Sequence, residues 1–196
     1  LSIMYNEKDL YNSCKIFYDR WPERKKMILE IYPNMIGKTL NVGVHDFNKD
    51  DYVCFSNKEL YHTIDLIKDN VKYGSKYKHI TGDFLNLNDN FKYDNIILFG
   101  VLNIPKGNYG NNINKADYTL YKQEENIVKK IDEILNINGK VLFGPDIPQS
   151  TIENSLITEK YYDNFFNNDD IIKKNFKQTL KFVGKGNILY EYIKIN

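Results

Sequence analysis

The chain has 196 residues, of which 42% are hydrophobic and 27% charged, with a net charge of +1. That length suits one domain with a substantial core, and no apolar stretch approaches the roughly 18 residues that a membrane span needs. The dispersed lysines form no basic face for a nucleic-acid backbone, and the opening LSIMYNEKDLYNS lacks the flank and apolar centre of a signal peptide, so a cytoplasmic protein is expected.

Residues 7–36 read as helical. Pro22 suits a first helical turn, Met27, Ile28, Ile31 and Tyr32 follow at helical spacing, and Gly37 marks the break. The domain therefore divides into an N-terminal helical extension, 1–36, and a core, 37–196. Cys14 and Cys54 are far apart and show no metal-ligand spacing, so they read as reduced thiols.

From Thr39 onward, apolar runs alternate with helical patterns. TLNVGV (39–44), YHTIDL (61–66), KHITGDF (78–84) and YDNIILFGVL (93–102) are strand candidates, the last apolar on consecutive positions as a buried parallel strand should be. Residues 119–137 carry Ile127, Ile131, Ile134 and Leu135 on one helical stripe. Asn138-Gly139 supplies the stop, and KVLFGPD (140–146) follows as a fifth strand. QTLKFVG (178–184) and NILYEYIKI (187–195) flank a two-residue turn, which signals an antiparallel hairpin. The plan is a single α/β domain: a Rossmann-like, doubly wound, seven-stranded sheet, mostly parallel, with helices on both faces. The connectors after the first and second strands are short, and their helices are the least defined.

The spacing from Gly43 to Asp65 matches roughly the 20 residues between the glycine turn and the ribose-binding acid of a nucleotide-binding βαβ unit. That points to a ligand with an adenosine end. With TLNVGVHDF, the acid at Asp65, GDF at 82–84, YDNIILFGVL, LNINGKVLFG and the terminal hairpin in this order, the chain resembles the class I S-adenosylmethionine-dependent methyltransferases over about residues 36–195. The resemblance implies S-adenosylmethionine as cofactor. It puts Gly43 at the first glycine of the loop under the methionine part, with Asn41 where many members carry an acid. Asp65 would take the ribose hydroxyls, with Leu66 beside it. Asp83 and Phe84 would meet the adenine, and Phe99 and Gly100 would end the strand carrying the methyl-transfer centre. His45 and Phe47 stand where further glycines are usual.

Only an acceptor that stays protonated at neutral pH, such as a hydroxyl, needs a general base. Asp146, just past the fifth strand, is the first candidate, against a turn-forming role beside Pro145 and Pro148. His45 is the second, against a hydrogen-bonded loop role. His62 and His79 read as structural, and no metal site is expected. The polar segment 103–118 is either a substrate lid or a plain insertion. Tyr18, Asp19 and Trp21 either close over the cofactor or pack the helix on the sheet.

No G-x-x-x-x-G-K-[ST] loop and no G-x-S-x-G elbow occurs. FGVLNI stands where nucleobase N-methyltransferases carry Asp/Asn-Pro-Pro-aromatic. The resemblance implies methyl transfer to a small molecule, and YHTIDL, HITGDFL and YDNIILFGVL are similar to small methyltransferases of sugar or polysaccharide modification, which implies a sugar or nucleotide-sugar hydroxyl as acceptor; no nucleic-acid or membrane partner is expected, and a homodimer is left open. The alternatives are a non-catalytic binding or scaffold protein with a degenerate cofactor loop, and a nicotinamide-dependent enzyme.

Overall fold

Ile96, Ile97 and Leu98 follow one another with no polar residue between them, so the strand they form has to be covered on both faces. The computed structural model describes residues 3–4, 30–45, 48–88, 90–102, 123–147, 152–184 and 186–196. The strands are β1 (Ile3–Met4), β2 (Thr39–Val42), β3 (Tyr61–Asp65), β4 (Lys78–Thr81), β5 (Tyr93–Phe99), β6 (Leu135–Gly144), β7 (Phe176–Gly184) and β8 (Asn187–Lys194). The helices are α1 (Glu124–Ile134), α2 (Ile152–Asn168) and α3 (Asp170–Asn175).

One sheet holds all eight strands in the order β1-β7-β8-β6-β5-β2-β3-β4. The seven expected strands are all present. β2 to β6 are parallel, and β8 runs antiparallel between β6 and β7. β1 is an eighth, two-residue strand parallel to the edge of β7. It corrects the expectation of a purely helical extension over 1–36, since backbone groups on an exposed sheet edge need partners. The chain winds outward from β2 to β4, then crosses to β5. The order therefore reverses between β2 and β5, the place where open α/β sheets hold ligands.

The register levels this reversal. Val42 pairs with Ile64 and Leu98, Asp65 with Thr81, and Phe99 with Gly144. The main core lies on one face. There, Ile127, Val128, Ile131 and Ile134 of α1, Tyr162 and Phe166 of α2 and Ile172 of α3 meet Leu40, Val42, Ile96, Leu98, Val141 and Phe143. On the other face Tyr32, Met35 and Phe55 cover Tyr61, Ile97, Phe99 and Leu142, with Phe55 stacked between Tyr32 at 4.7 Å and Tyr61 at 4.3 Å.

Several connectors differ from expectation. The links after β2, β3 and β4 form 3-10 turns, at Asp51–Cys54, Lys58–Leu60, Lys68–Tyr73 and Phe84–Asn86, in place of α-helices. These stretches are rich in Asn, Asp and Lys, and Asn57 and Asp83 cap turns with their own side chains. α1 stops at Ile134, and Leu135 already belongs to β6. The β5–β6 ladder then skips to Lys140, around Asn138 at φ 66°. Cys54 is half-buried. The expected helix over 7–29, Cys14, Tyr18, Asp19, Trp21, Phe47, the 103–118 segment, residues 119–122 and Pro148 lie outside the described residues. No described helix is long and apolar enough to cross a membrane.

Phe166 sits at the centre of the α2 contact, with ring centroids 4.9 Å from Phe143, 5.0 Å from Tyr190 and 5.2 Å from Tyr192. Truncating a ring so enclosed removes its transfer energy and leaves a cavity. Phe166→Ala is expected to lower unfolding stability by about 3–5 kcal/mol, read as an earlier midpoint in urea.

Candidate functional site

Because the strand ends are level, the loops after β2, β3, β4, β5 and β6 leave the sheet along one carboxyl rim. Backbone bonds extend the ladder into those loops. Gly43 N–H donates to Ile64 O at 2.8 Å and Gly82 N–H to Asp65 O at 2.9 Å; Gly100 N–H donates to Gly144 O at 2.8 Å and Asp146 N–H to Leu102 O at 2.9 Å.

Asp65 organises this rim. It is 9% exposed, and its two carboxylate oxygens go different ways. Oδ2 accepts from the Val44 N–H at 2.8 Å, and Oδ1 accepts from the Ile67 N–H at 2.7 Å. A carboxylate has about four acceptor directions, so one further direction remains on each oxygen. Leu66, the next residue, is 45% exposed, and Ile67 is exposed beside it. An acceptor pair flanked by exposed apolar side chains is chemically matched to a cis-diol beside an aromatic base. Beneath it, the Thr63 hydroxyl lies 2.8 Å from His79 Nδ1 and accepts from the Ser75 N–H at 2.9 Å. Burial pushes the His79 imidazole down, while Asp65 pulls it up.

The glycines on either side of the reversal differ. Gly43 has φ 74°, and a Cβ there would stand 2.8 Å from Val101 Cγ2. Gly100 has φ 70° with open space around the same position, and Gly82 is equally open. Both positive φ values favour glycine, because an L side chain there meets its own backbone. The wall is thus closed by Val101 over Gly43 and open over Gly100.

Other expected site residues are placed as follows. His45 is exposed, and its ring lies 5.8 Å from that of Tyr73, bridging the loops after β2 and β3. Its N–H donates to Asn48 Oδ1 at 2.9 Å, and Asn48 Nδ2 donates to Asp51 Oδ2 at 2.8 Å. The Tyr32 hydroxyl reaches the same oxygen at 3.4 Å. Asp83 is half-buried, caps the turn at Phe84–Asn86 and accepts from the Leu85 N–H at 2.9 Å. Asp146 is half-buried on the rim. Asn41 is 1% exposed and turns into the second-face core, where Nδ2 donates to the Tyr61 hydroxyl at 3.1 Å. Its Oδ1 is a buried acceptor with no hydrogen bond.

Two expected site residues lie in the cores. Phe84 is 3% exposed and packs in the main core, and Phe99 is buried in the second-face core against Tyr32. Phe99 ends the covered strand β5 and Phe84 lies in the turn after β4, and both rings gain from burial in the cores. Leu66 and Ile67 supply exposed apolar surface beside Asp65. Sequence reasoning missed Asn48 and Asp51, although N-x-x-D after a glycine turn is a local capping pattern. Among the described residues, no group of three or more His, Cys, Asp or Glu is disposed to hold a metal ion.

Gly43→Ala is expected to destabilise the fold by about 1–3 kcal/mol from its backbone angle, with a further loss from Val101. Val101→Ala in the same chain should recover only the second part, as urea midpoints will show.

No family model matches the chain, and no curated protein matches its sequence. Solved structures do. The N-methyltransferase NodS from Bradyrhizobium japonicum WM9, in complex with S-adenosyl-L-homocysteine, aligns with a TM-score of 0.59 at 10% identity, over 96% of this chain and 100% of its own. The glycopeptide N-methyltransferase MtfA, complexed with the same compound, gives 0.52 at 7% identity over 90% of each chain. The 16S rRNA methyltransferase RmtF, also in complex with it, gives 0.51 at 10% identity over 93% of this chain and 64% of its own. The strand order, the terminal hairpin and these alignments together show that the chain has the Rossmann-like fold of the class I S-adenosylmethionine-dependent methyltransferases.

Proposed function

We propose that the protein is an S-adenosylmethionine-dependent methyltransferase acting on a small-molecule acceptor, a sugar or nucleotide-sugar hydroxyl. The observation that carries this reading is Asp65, a carboxylate at the exit of β3 with one acceptor direction left on each oxygen, next to exposed Leu66, with open Gly100 on the same rim beyond β2. Three structures of the same fold contain S-adenosyl-L-homocysteine, the demethylated form of that cofactor.

In this reading Asp65 holds the ribose diol, and Leu66 and Ile67 face the adenine. Asp83 takes the exocyclic amine, and the backbone at Gly43 and Gly100 borders the amino-acid end. When bound, S-adenosylmethionine supplies an electrophilic methyl carbon and a thioether leaving group. The protein then has to align the acceptor oxygen in line with that carbon and exclude water. Asp146 is the general base: its carboxylate takes the hydroxyl proton as the oxygen gains the methyl group. His45, stacked on Tyr73, orders the rim loops.

Val101 pressed against Gly43 favours a second reading, a binding protein that keeps the nucleoside site and lacks turnover. Calorimetric titration with S-adenosylmethionine and S-adenosyl-L-homocysteine tests the shared step. Micromolar dissociation constants are expected for the parent, as an order of magnitude for such sites. Asp65→Ala should weaken them by about 10- to 100-fold, the loss of charge-assisted hydrogen bonds. No heat from either ligand in a folded parent refutes both readings. Binding without methyl transfer to sugar, protein or RNA acceptors supports the second.

A further inference from the structure

The opposite, amino-terminal edge of the sheet carries a separate cluster. Lys38 immediately precedes β2, Lys78 opens β4, and Phe91 and Tyr93 lead into β5. The register pairs His62 of β3 with Lys78 and with Leu40 of β2, which brings these side chains to one corner. The two ammonium groups converge on a single ring. Lys78 Nζ is 4.6 Å and Lys38 Nζ 5.9 Å from the Phe91 centroid, and Lys38 Nζ is 5.0 Å from that of Tyr93. Cation–π attraction holds each lysine over its ring, but it does not neutralise the pair.

Among the described residues neither ammonium has a carboxylate within ion-pair distance. Asp94 lies in this corner, with Oδ2 accepting from the Lys38 backbone N–H at 2.8 Å and Oδ1 from the Asn136 amide at 2.9 Å. His62 is 8% exposed and meets Tyr93 edge-on, with Nδ1 3.3 Å from the Tyr93 hydroxyl. Burial first, then Lys38 and Lys78, hold its imidazole down at about 4, while a hydrogen bond with the Glu59 backbone opposes them. Burial raises the Tyr93 hydroxyl to about 12, so it stays a donor. The corner thus combines two ammonium groups and a histidine kept neutral with one carboxylate, Asp94, whose oxygens are taken up by backbone and amide donors, so that an anion would still meet a net positive charge.

We propose that Lys38 and Lys78, with Phe91 as a wall, form a second binding site for a phosphate-bearing small ligand, on the edge of the sheet opposite the Asp65 rim. Two cations match the charge of roughly −1.5 to −2 on a phosphate monoester. A nucleic-acid backbone presents a charge about every 1.7 Å and calls for a longer basic track; the chain's net charge is only +1. The site does not depend on the methyltransferase reading.

Inorganic pyrophosphate, titrated into the full-length chain at constant ionic strength, tests it by NMR of the His62 ring. Saturable shifts with a dissociation constant of about 1 mM or tighter are expected. The His62 midpoint should rise as the bound anion offsets the lysine field, and chloride should leave it in place. Lys38→Met with Lys78→Met should weaken the response at least about tenfold, and Lys38→Arg with Lys78→Arg should retain it. An unsaturable response, an equal response to chloride, or the same affinity in the methionine variant overturns the site. Should that variant not fold, the chloride comparison on the parent decides. Affinity for single-stranded oligonucleotides that climbs with length past that for pyrophosphate overturns the small-ligand assignment.

Discussion

One carboxylate holds the carboxyl rim in shape. Asp65 joins the loop after β2 to the loop after β3 by accepting the Val44 and Ile67 N–H groups. Hydrogen bonds to a charged group contribute about 1.5–3 kcal/mol each, against about 0.5–1.5 kcal/mol for neutral ones. The bonds also fix the direction of the carboxylate. Its remaining acceptor positions point away from two immobilised amides, which is the condition for binding a diol without reorganising the site. The bridge works because β2, β3 and β5 are in register, so that Gly43, Asp65 and Phe99 leave the sheet at one level.

The sheet's two edges differ in kind. At the carboxyl edge, backbone amides and glycines surround an acid. At the amino edge, lysines and aromatic rings surround a neutral histidine. Between them the cores supply rigidity: Phe166 and Tyr162 lock α2 onto β6 and β8, and the stack of Tyr32, Phe55 and Tyr61 seals the other face. A buried polar chain, from the His45 amide through Asn48 and Asp51 to the Tyr32 hydroxyl, ties the loop after β2 to that second core. Loop position and core packing are coupled there, so changes in Tyr32 or Phe55 reach the rim without touching it.

The strand at 93–102 was legible because burial on both faces forces consecutive apolar residues, and the hairpin because two strand-like runs flank a two-residue turn. The runs at 39–44, 61–66 and 93–102, and the expected hairpin strands at 178–184 and 187–195, all contain strands. α2 was not legible because its buried positions include Ser155 and Thr158 with Tyr162 and Phe166, while Leu156 faces outward. That mixture blurs the apolar stripe on which helix reading rests. The connectors misled for a related reason: polar side chains that cap their own backbone favour single turns over helices.

The place of Asp65 at the exit of β3 could be read from its spacing, because strand length and register translate directly into position. The burial of Asn41, Phe84 and Phe99 could not. Whether a side chain at a strand end lines the rim or enters a core depends on which face it takes and what covers that face. Thr63, His79 and Ser75 come together beneath Asp65 from β3, the link after it and β4, and no local pattern announces such a convergence.

A crystal structure with S-adenosyl-L-homocysteine is the most direct test of the central claim. The account predicts the ribose hydroxyls within hydrogen-bond distance of Asp65, with the Val44 and Ile67 amides still bound to it and the adenine against Leu66 and Ile67. A nucleoside seated elsewhere, or an Asp65 turned away from both amides to reach it, would contradict the account.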